Sequence, residues 1–525
     1  MPSADTHTAT PPRFGAGARP PGAALALATA LLFVALAAVG ARWHWVEEAG
    51  SAERDGYVAE AEAILSGELP SDPYRPALYP LAVAGFARLG VAPFTAARLL
   101  SEAAAAAFAA LAFVFGRRLA GPPAGWLAFA ATAVNPNLWI LGQHVTTDMP
   151  FAALAAAALA AGSTYLERPG WRPAFAAGAA LGLAAFTRVN AAFLLPALAL
   201  AWWLAPKAAR RARHLAAAVA TGLAFFAPHL ALRAAVFGDP FHDENWKNLA
   251  FKLHGFPDWS YLDRVPFSGP FELLTASAGA VVAGCFSELW RFFAGGGLVQ
   301  LLGTPLHALL LVAGTAAALA APRSRRQAAW LLFAAVTFVA AVALTFFTWG
   351  RLLLCLLPLA NGLAFAPWGS LLRPALGGVW RWRFAAPASM LIAAGAIGLL
   401  AVKTACFRLP DFAERHPVGE VEALRGLAER TPPAAILAGT SPFLGRYLDR
   451  PYVYVPDAFG PEAGEPSRYY ETLRRTLDEA GASYLVVGAV DLRDRPPALL
   501  GPEPPVGWLE AVGGDGRVRV WRLEK

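Results

Sequence analysis

The stretch Leu78-Tyr-Pro-Leu-Ala-Val-Ala-Gly-Phe-Ala-Arg-Leu89 sets the topology of the whole chain. It is apolar, yet its roughly 12 residues fall short of the ~18–20 that cross a hydrocarbon core as a helix. Counted as a span, it would invert every later loop against the arginine pattern described below. Left out, it becomes an interfacial or re-entrant helix on the outer side. Its surroundings make the membrane unavoidable: of 525 residues, 57% are hydrophobic and only 15% charged, well below the ~25% charged residues of soluble domains.

Working outward, apolar runs such as Ala23–Gly40, Thr95–Gly116 and Leu298–Ala321 reach spanning length. Eleven spans are predicted, at roughly 22–43, 94–116, 123–142, 149–166, 174–188, 190–206, 215–237, 298–321, 328–347, 352–372 and 385–403. Arginines cluster between them: Arg13 and Arg19, Arg117 and Arg118, Arg168 and Arg172, Arg210, Arg211 and Arg213 beside Lys207, Arg323, Arg325 and Arg326, and Arg373, Arg381 and Arg383. Basic loops stay cytoplasmic, so residues 1–21 form a disordered cytoplasmic tail and the C-terminal segment lies outside. The first span lacks a convincing cleavage site and is expected to remain as an anchor. The net charge of +7 reports this orientation and not nucleic acid, because the arginines interrupt apolar runs and do not line a soluble face.

Residues 22–403 thus read as a helical membrane domain with two outer loops, 42–94 and 238–297. The first loop is acidic, with a helix expected from about Gly56 to Gly67. The second mixes Trp246, Lys247, Lys252, His254, Trp259 and Trp290, a composition suited to the headgroup level. Residues 404–525 turn ordinary and soluble, with strands expected at 435–438, 452–455, 484–488 and 518–523 around a helix at 467–480. The fold class is therefore mainly α, a polytopic transmembrane bundle with a small extracytoplasmic α/β domain. No nucleotide motif occurs there, and Cys285, Cys355 and Cys406 have no metal spacing.

The string Asp55-Gly-Tyr57, followed by Ala61, Leu65, Gly67 and Tyr74-Arg75-Pro76-Ala77-Leu78-Tyr79-Pro80, resembles the first periplasmic loop of GT-C glycosyltransferases. The likeness is to the branch holding protein O-mannosyltransferases and lipid A aminoarabinose transferase. Thr147-Asp148-Met149-Pro150-Phe151, Leu183 to Asn190 around Arg188, and Arg351 to Pro358 match in order. Two departures concern substrate identity: the family's acid pair is broken here as Glu53-Arg54-Asp55, and its doubled proline is Pro76-Ala77.

The resemblance implies a hexosyl- or pentosyltransferase in a bacterial inner membrane that moves a sugar from polyprenyl phosphate to an acceptor hydroxyl of a lipid, polysaccharide or protein. Asp55 is then the general base, with Asp148 positioning the acceptor or helping to bind a cation. Arg75, Arg188 and Arg351 become contacts for the phosphate or sugar, with Tyr57, Tyr79, His144 and Lys247 as further binding residues. No cofactor is required, and use of a divalent cation is left open.

Plainer readings stand beside these. Asp55 and Asp148 each suit a helix N-cap, Arg75 suits a pair with Asp72, Arg188 and Arg351 suit snorkelling from span ends, and His144 suits the interface. A transporter or flippase of lipid-linked sugars is the alternative function. It calls for acids near midspan, where Glu102 is the exception among the predicted spans.

Overall fold

The computed structural model describes residues 21–43, 56–206, 212–254, 265–345, 348, 350–371, 382–409, 426–427, 429–439, 451–455, 466–488, 499, 501–514 and 518–524. The chain opens with α1 (Pro21–Trp43), whose Leu27, Leu31 and Val34 are each about 60% exposed along one stripe, as befits a helix facing lipid. Next come α2 (Tyr57–Leu65) and α3 (Leu78–Ala87). Gly56 and Gly67 bracket α2 with left-handed backbone at φ 72° and 97°, conformations that glycine adopts without strain. α3 has ten residues, or about 15 Å of helix, so it is too short to cross. It packs instead on α2, with Tyr57, Ala61, Tyr79, Val83 and Ala84 sharing one buried cluster.

The long helices follow: α4 (Pro93–Ala120), α5 (Pro122–Ala133), α6 (Pro136–Gln143), α7 (Asp148–Glu167), α8 (Trp171–Thr187), α9 (Leu195–Leu204) after a 3-10 turn at Val189–Leu194, and α10 (Ala212–Phe237). The second outer loop holds α11 (Lys247–Leu253), α12 (Pro270–Ala276) and α13 (Ala278–Phe293). The membrane domain closes with α14 (Gly297–Leu302), α15 (Pro305–Ala320), α16 (Arg325–Thr345), α17 (Leu357–Ala364), α18 (Ala366–Leu371) and α19 (Trp382–Lys403), which continues as a π turn through Arg408. The last helix therefore overruns the expected boundary at residue 403 by a few residues.

Among the described residues, six helices are long and apolar enough to cross a membrane, or seven if α12 and α13 count as one despite an 88° bend. The other predicted spans are shorter or broken helices, and the breaks have local causes. Asn135 caps α6 by accepting from Asn137 N at 2.9 Å, just ahead of Pro136. Thr304 caps α15 ahead of Pro305, after Gly303 turns the chain at φ 91°. Proline lacks the N–H that a continuous helix needs, so it belongs at a helix start. Backbone freed inside an apolar layer must find partners, and these two breaks serve each other. Asn135 Nδ2 donates to Leu301 O and Leu302 O at 3.3 and 3.2 Å, Asn137 Nδ2 to Gln300 O at 2.9 Å, and Lys403 Nζ to Gly303 O at 2.6 Å.

The main core gathers α4, α7, α16 and the residues around α17, with Phe108, Phe113, Met149, Leu159, Trp330 and Leu357 all buried. α8 and α10 approach closely through Gly178, Gly182, Ala218 and Gly222, the small-residue packing that lets helix backbones touch in lipid. The charges divide between the two ends of α7. At the end away from Asp148, Arg118 bonds Ala160 O and Thr164 Oγ1, and Arg326 bonds Leu166 O.

The C-terminal residues form a five-stranded sheet of β1 (Ile436–Gly439), β2 (Tyr452–Tyr454), β3 (Ala482–Gly488), β4 (Leu509–Gly514) and β5 (Val518–Leu523), with α20 (Pro466–Glu479) between β2 and β3. The strand order is β2-β1-β3-β5-β4, parallel across the first three strands and antiparallel beyond. Tyr469, Leu473, Leu477 and Trp521 fill the core between α20 and the sheet. β4 is the strand that the sequence reading lacks. Its Gly513 and Gly514 weaken the strand signal, and its register shifts at Ala511/Gly513.

Candidate functional site

The residues from His144 to Thr147 lead out of α6 and into α7, and Asp148 is the first residue of α7. A carboxylate suits that end of a helix dipole, but Asp148 does not cap the helix. The N-cap is Thr147, which makes no side-chain cap bond. Asp148 is only 1% exposed and faces charge and hydroxyl donors. Arg188, at the end of α8, forms an ion pair with its Oδ1; Arg351 Nη1 lies 3.9 Å from its Oδ2; and Thr146 Oγ1 donates to Oδ2 at 3.1 Å. Three predicted residues thus converge from far-apart positions in the chain. Two guanidinium groups thus meet at one carboxylate, and both arginines keep solvent access, at 21% and 34% exposure.

Tyr57 ties this centre to the first outer loop. Its hydroxyl lies 3.1 Å from Thr147 Oγ1, its ring meets Tyr79 edge-on at 5.4 Å, and the Arg75 guanidinium sits over it at 5.6 Å. Tyr79 turns its hydroxyl to Ala97 O at 2.8 Å and to Ser101 Oγ at 3.0 Å. It therefore packs against Tyr57 with its hydroxyl turned toward α4. Arg75 also forms the pair with Asp72, at 2.9 Å. Lys247, at the start of α11 in the second outer loop, pairs with Glu244 at 2.9 Å and lies 6.0 Å from the Tyr74 ring centroid. His144 is half-buried between α6 and α7 and lies close enough to contribute to the field at Asp148. Asp55 lies outside the described residues. Glu102 is buried in α4 and paired with Arg98 at 3.4 Å.

The sequence reading missed a group that joins the two outer loops. Arg233, near the end of α10, donates to Asp72 O at 2.5 Å and Arg75 O at 3.2 Å, and Asn245 Nδ2 bonds Tyr74 O. Asp72 Oδ1 accepts from Tyr74 N and Arg75 N at 2.7 and 3.0 Å. A lone arginine closing an apolar run was the available signal. Glu60, on α2, completes the group by accepting from Asp72 N at 3.5 Å.

Burial, and then the Asp72 carboxylate, push the Glu60 carboxyl up to about 7 despite the nearby Arg75 and Arg233. A carboxyl raised on folding stabilises the protein most below its unfolded value, and that contribution is lost as pH climbs through the folded one. Thermal stability in detergent is therefore expected to fall between about pH 4.5 and 7 through this group and to level off above. Glu60→Gln should flatten that part of the profile; an unchanged slope would remove Glu60 as its source.

Among the described residues no cluster of three or more His, Cys, Asp or Glu side chains is placed to hold a metal. Among the described residues, Asp148 brings the carboxylate to the centre, and its partners there are cations and hydroxyls.

With this geometry in hand, residues 74–232 match the model of the dolichyl-phosphate-mannose-protein mannosyltransferase family. That segment contains Arg75, Tyr79, Asp148 and Arg188. The structure is similar to ArnT from Cupriavidus metallidurans bound to undecaprenyl phosphate, with 17% identity, coverage of 94% of this chain and 97% of that one, and a TM-score of 0.55. It is also similar to the Archaeoglobus fulgidus oligosaccharyltransferase in its apo form, with 12% identity, 88% and 69% coverage, and a TM-score of 0.55. No curated protein matches the sequence.

The chain has the GT-C fold of membrane glycosyltransferases. In this chain the GT-C fold brings the start of α7, the end of α8 and the segment after α16 to one end of the bundle, beneath the first outer loop. Both arginine partners of Asp148 reach it from breaks in apolar helices: Arg188 ends α8 before the 3-10 turn, and Arg351 precedes the 3-10 turn that starts at Leu354.

Proposed function

We propose that the protein transfers a sugar from a polyprenyl-phosphate carrier to an acceptor hydroxyl, at the end of the bundle that holds Asp148. The observation that carries this reading is the convergence of Arg188 and Arg351 on one buried carboxylate, close to Tyr57 and Arg75. When the bond from the anomeric carbon to the phosphate breaks, negative charge collects on the leaving phosphate. Preorganised guanidinium groups stabilise that charge most where water is scarce. Asp148, by pairing with both arginines, orients them toward the site.

The acceptor oxygen attacks the anomeric carbon and its proton passes to a base. Asp55, one residue before Gly56 at the start of α2, is our assignment for that base. The ArnT neighbour was crystallised with undecaprenyl phosphate, which supports a polyprenyl-phosphate leaving group. The basic residues at the opposite end of α7 support an extracytoplasmic site by the positive-inside rule, with the N-terminus cytoplasmic and the C-terminal sheet outside. The abundance of arginine and alanine over lysine supports a bacterial inner membrane.

The purified protein, incubated with a panel of polyprenyl-phosphate sugars, is expected to release polyprenyl phosphate from at least one. Asp55→Asn is expected to slow that release by about 10²–10⁴-fold, the usual contribution of a general base, with donor binding retained. Unchanged turnover in Asp55→Asn would remove Asp55 as the base. A protein that moves every donor across vesicles and cleaves none would favour the flippase.

A further inference from the structure

The second outer loop touches the segment that leads to Arg351 at two points. Lys252, on α11, donates to Ala343 O at 2.6 Å, near the end of α16. Beyond that end, Thr348 N donates to Glu288 Oε2 at 2.8 Å, and Thr348 Oγ1 lies 3.0 Å from the same oxygen and 3.1 Å from Glu288 O. Glu288 and Thr348 are 4% and 5% exposed, so these bonds are made away from competing water. Three residues after Thr348, Arg351 reaches Asp148. A buried carboxylate on α13 therefore fixes the backbone from which a site arginine projects. Arg291 pairs with the outer side of that carboxylate at 2.7 Å and balances its charge.

The opposite face of α13 is apolar and bare. Val282, Phe286, Trp290 and Phe293 recur at helical spacing and are 53–74% exposed, while Val281, Glu288 and Phe292 point inward. In a chain with six or seven helices fit to cross a membrane among its described residues, a stripe of aromatic side chains on a short helix in the outer loop matches the interfacial region of a bilayer, where Trp and Phe are favoured. The helix is continuous with the spans: Phe292 lies in the main membrane core, and α14 starts four residues after α13 ends.

We propose that Glu288 is a positioning residue for Arg351, and that the apolar face of α13 seats this coupling in the outer lipid surface. Glu288 touches no substrate. It sets where Arg351 stands and so how well the site holds an anionic lipid phosphate, and this rests on the phosphate role proposed for Arg351.

The test measures equilibrium binding of undecaprenyl phosphate to the full-length protein in lipid nanodiscs. Glu288→Ala and Arg351→Gln are each expected to weaken binding about tenfold, the size of one charge-assisted contact. Glu288→Gln keeps an acceptor for Thr348 N–H and should stay within about threefold of the parent. The deciding comparison is Glu288→Ala in the Arg351→Gln background, which is expected to add nothing, because a residue that acts only through Arg351 has no effect once Arg351 is gone. A further tenfold loss there, or parental affinity in Glu288→Ala alone, would overturn the proposal.

Should Glu288→Ala fail to fold, Thr348→Val removes only the hydroxyl contact and enters the same cycle, with a smaller loss expected. If Arg351→Gln itself binds like the parent, the phosphate role of Arg351 falls first and the coupling falls with it. The seat is read separately: brominated lipids should quench the tryptophan fluorescence of the parent more than that of Trp290→Phe. Equal quenching in the two would place Trp290 in water and overturn the lipid seat.

Discussion

Asp148→Ala is expected to unfold the active end of the bundle and to lose donor turnover by three orders of magnitude or more. The carboxylate is buried and holds Arg188, Arg351 and Thr146 together. Removing one member of a buried ion pair costs about 3–5 kcal/mol, because the other charge stays behind without compensation. Here both guanidinium groups would lose the carboxylate they share, and Arg188 is mostly out of solvent. Asp148→Asn preserves shape and removes only charge, so it should lose less stability while still losing turnover. Adding Arg188→Gln to Asp148→Asn should recover thermal stability and leave turnover low, since the pair's charge is then gone from both sides. Thermal unfolding in detergent, followed alongside release of polyprenyl phosphate, separates the two effects. An Asp148→Ala protein as stable and active as the parent would show that the convergence of charges at α7 has no role in either.

A second large effect is expected where no charge is present. A Cβ placed on Gly182 would run into Gly222 O, and one on Gly178 into Ala218 O. Both obstacles are backbone, so no rotamer change relieves them, and α8 and α10 must move apart. Gly182→Ala is therefore expected to cost more than about 3 kcal/mol, beyond the usual range for overpacking against side chains. α10 carries Arg233, which bonds the backbone of Asp72 and Arg75, so the damage should reach the first outer loop. Gly222→Ala is the built-in control: its Cβ would stand 3.4 Å from Gly178 O, an ordinary contact, and should cost under about 1 kcal/mol. Monodispersity on size exclusion and the midpoint of thermal aggregation are the readouts. Equal behaviour of the two alanine variants would mean that α8 and α10 do not pack as described.

The membrane domain was legible because its two strongest signals are additive along the chain. Apolar run length and arginine spacing placed a helix, whole or broken, at each expected span, and both kept Leu78–Ala87 out of the count. What the pattern could not supply was the break inside a span. Asn135 and Gly303 are single residues in apolar surroundings, and the bonds from Asn135 to the carbonyls just before Gly303, more than 160 positions away, leave no local trace. The site was partly legible for the same reason. Asp148, Arg188 and Arg351 stood out as charges beside apolar runs, yet nothing in their spacing says that they meet. The capping reading of Asp148 gave way because its carboxylate found better donors in Arg188 and Thr146 than the backbone of its own helix. Tyr79 was chosen for a motif, and only folding sets its ring against Tyr57 and its hydroxyl against α4. Glu60 and Asp72 were two acids among many in an acidic loop, and only folding set them against Arg233.

The mutual pinning of the two broken helices also bears on how the chain is made. The amide of Asn135 waits for carbonyls synthesised 166 residues later, which at ordinary translation rates is roughly 10–30 s of elongation. Through that interval the segment from Pro122 to Gln143 consists of two half-helices, neither long enough to settle alone in an apolar layer. The bundle is thus completed from its middle late in synthesis, and a ribosome that stalls before Gly297 leaves a polar seam with nothing to close it.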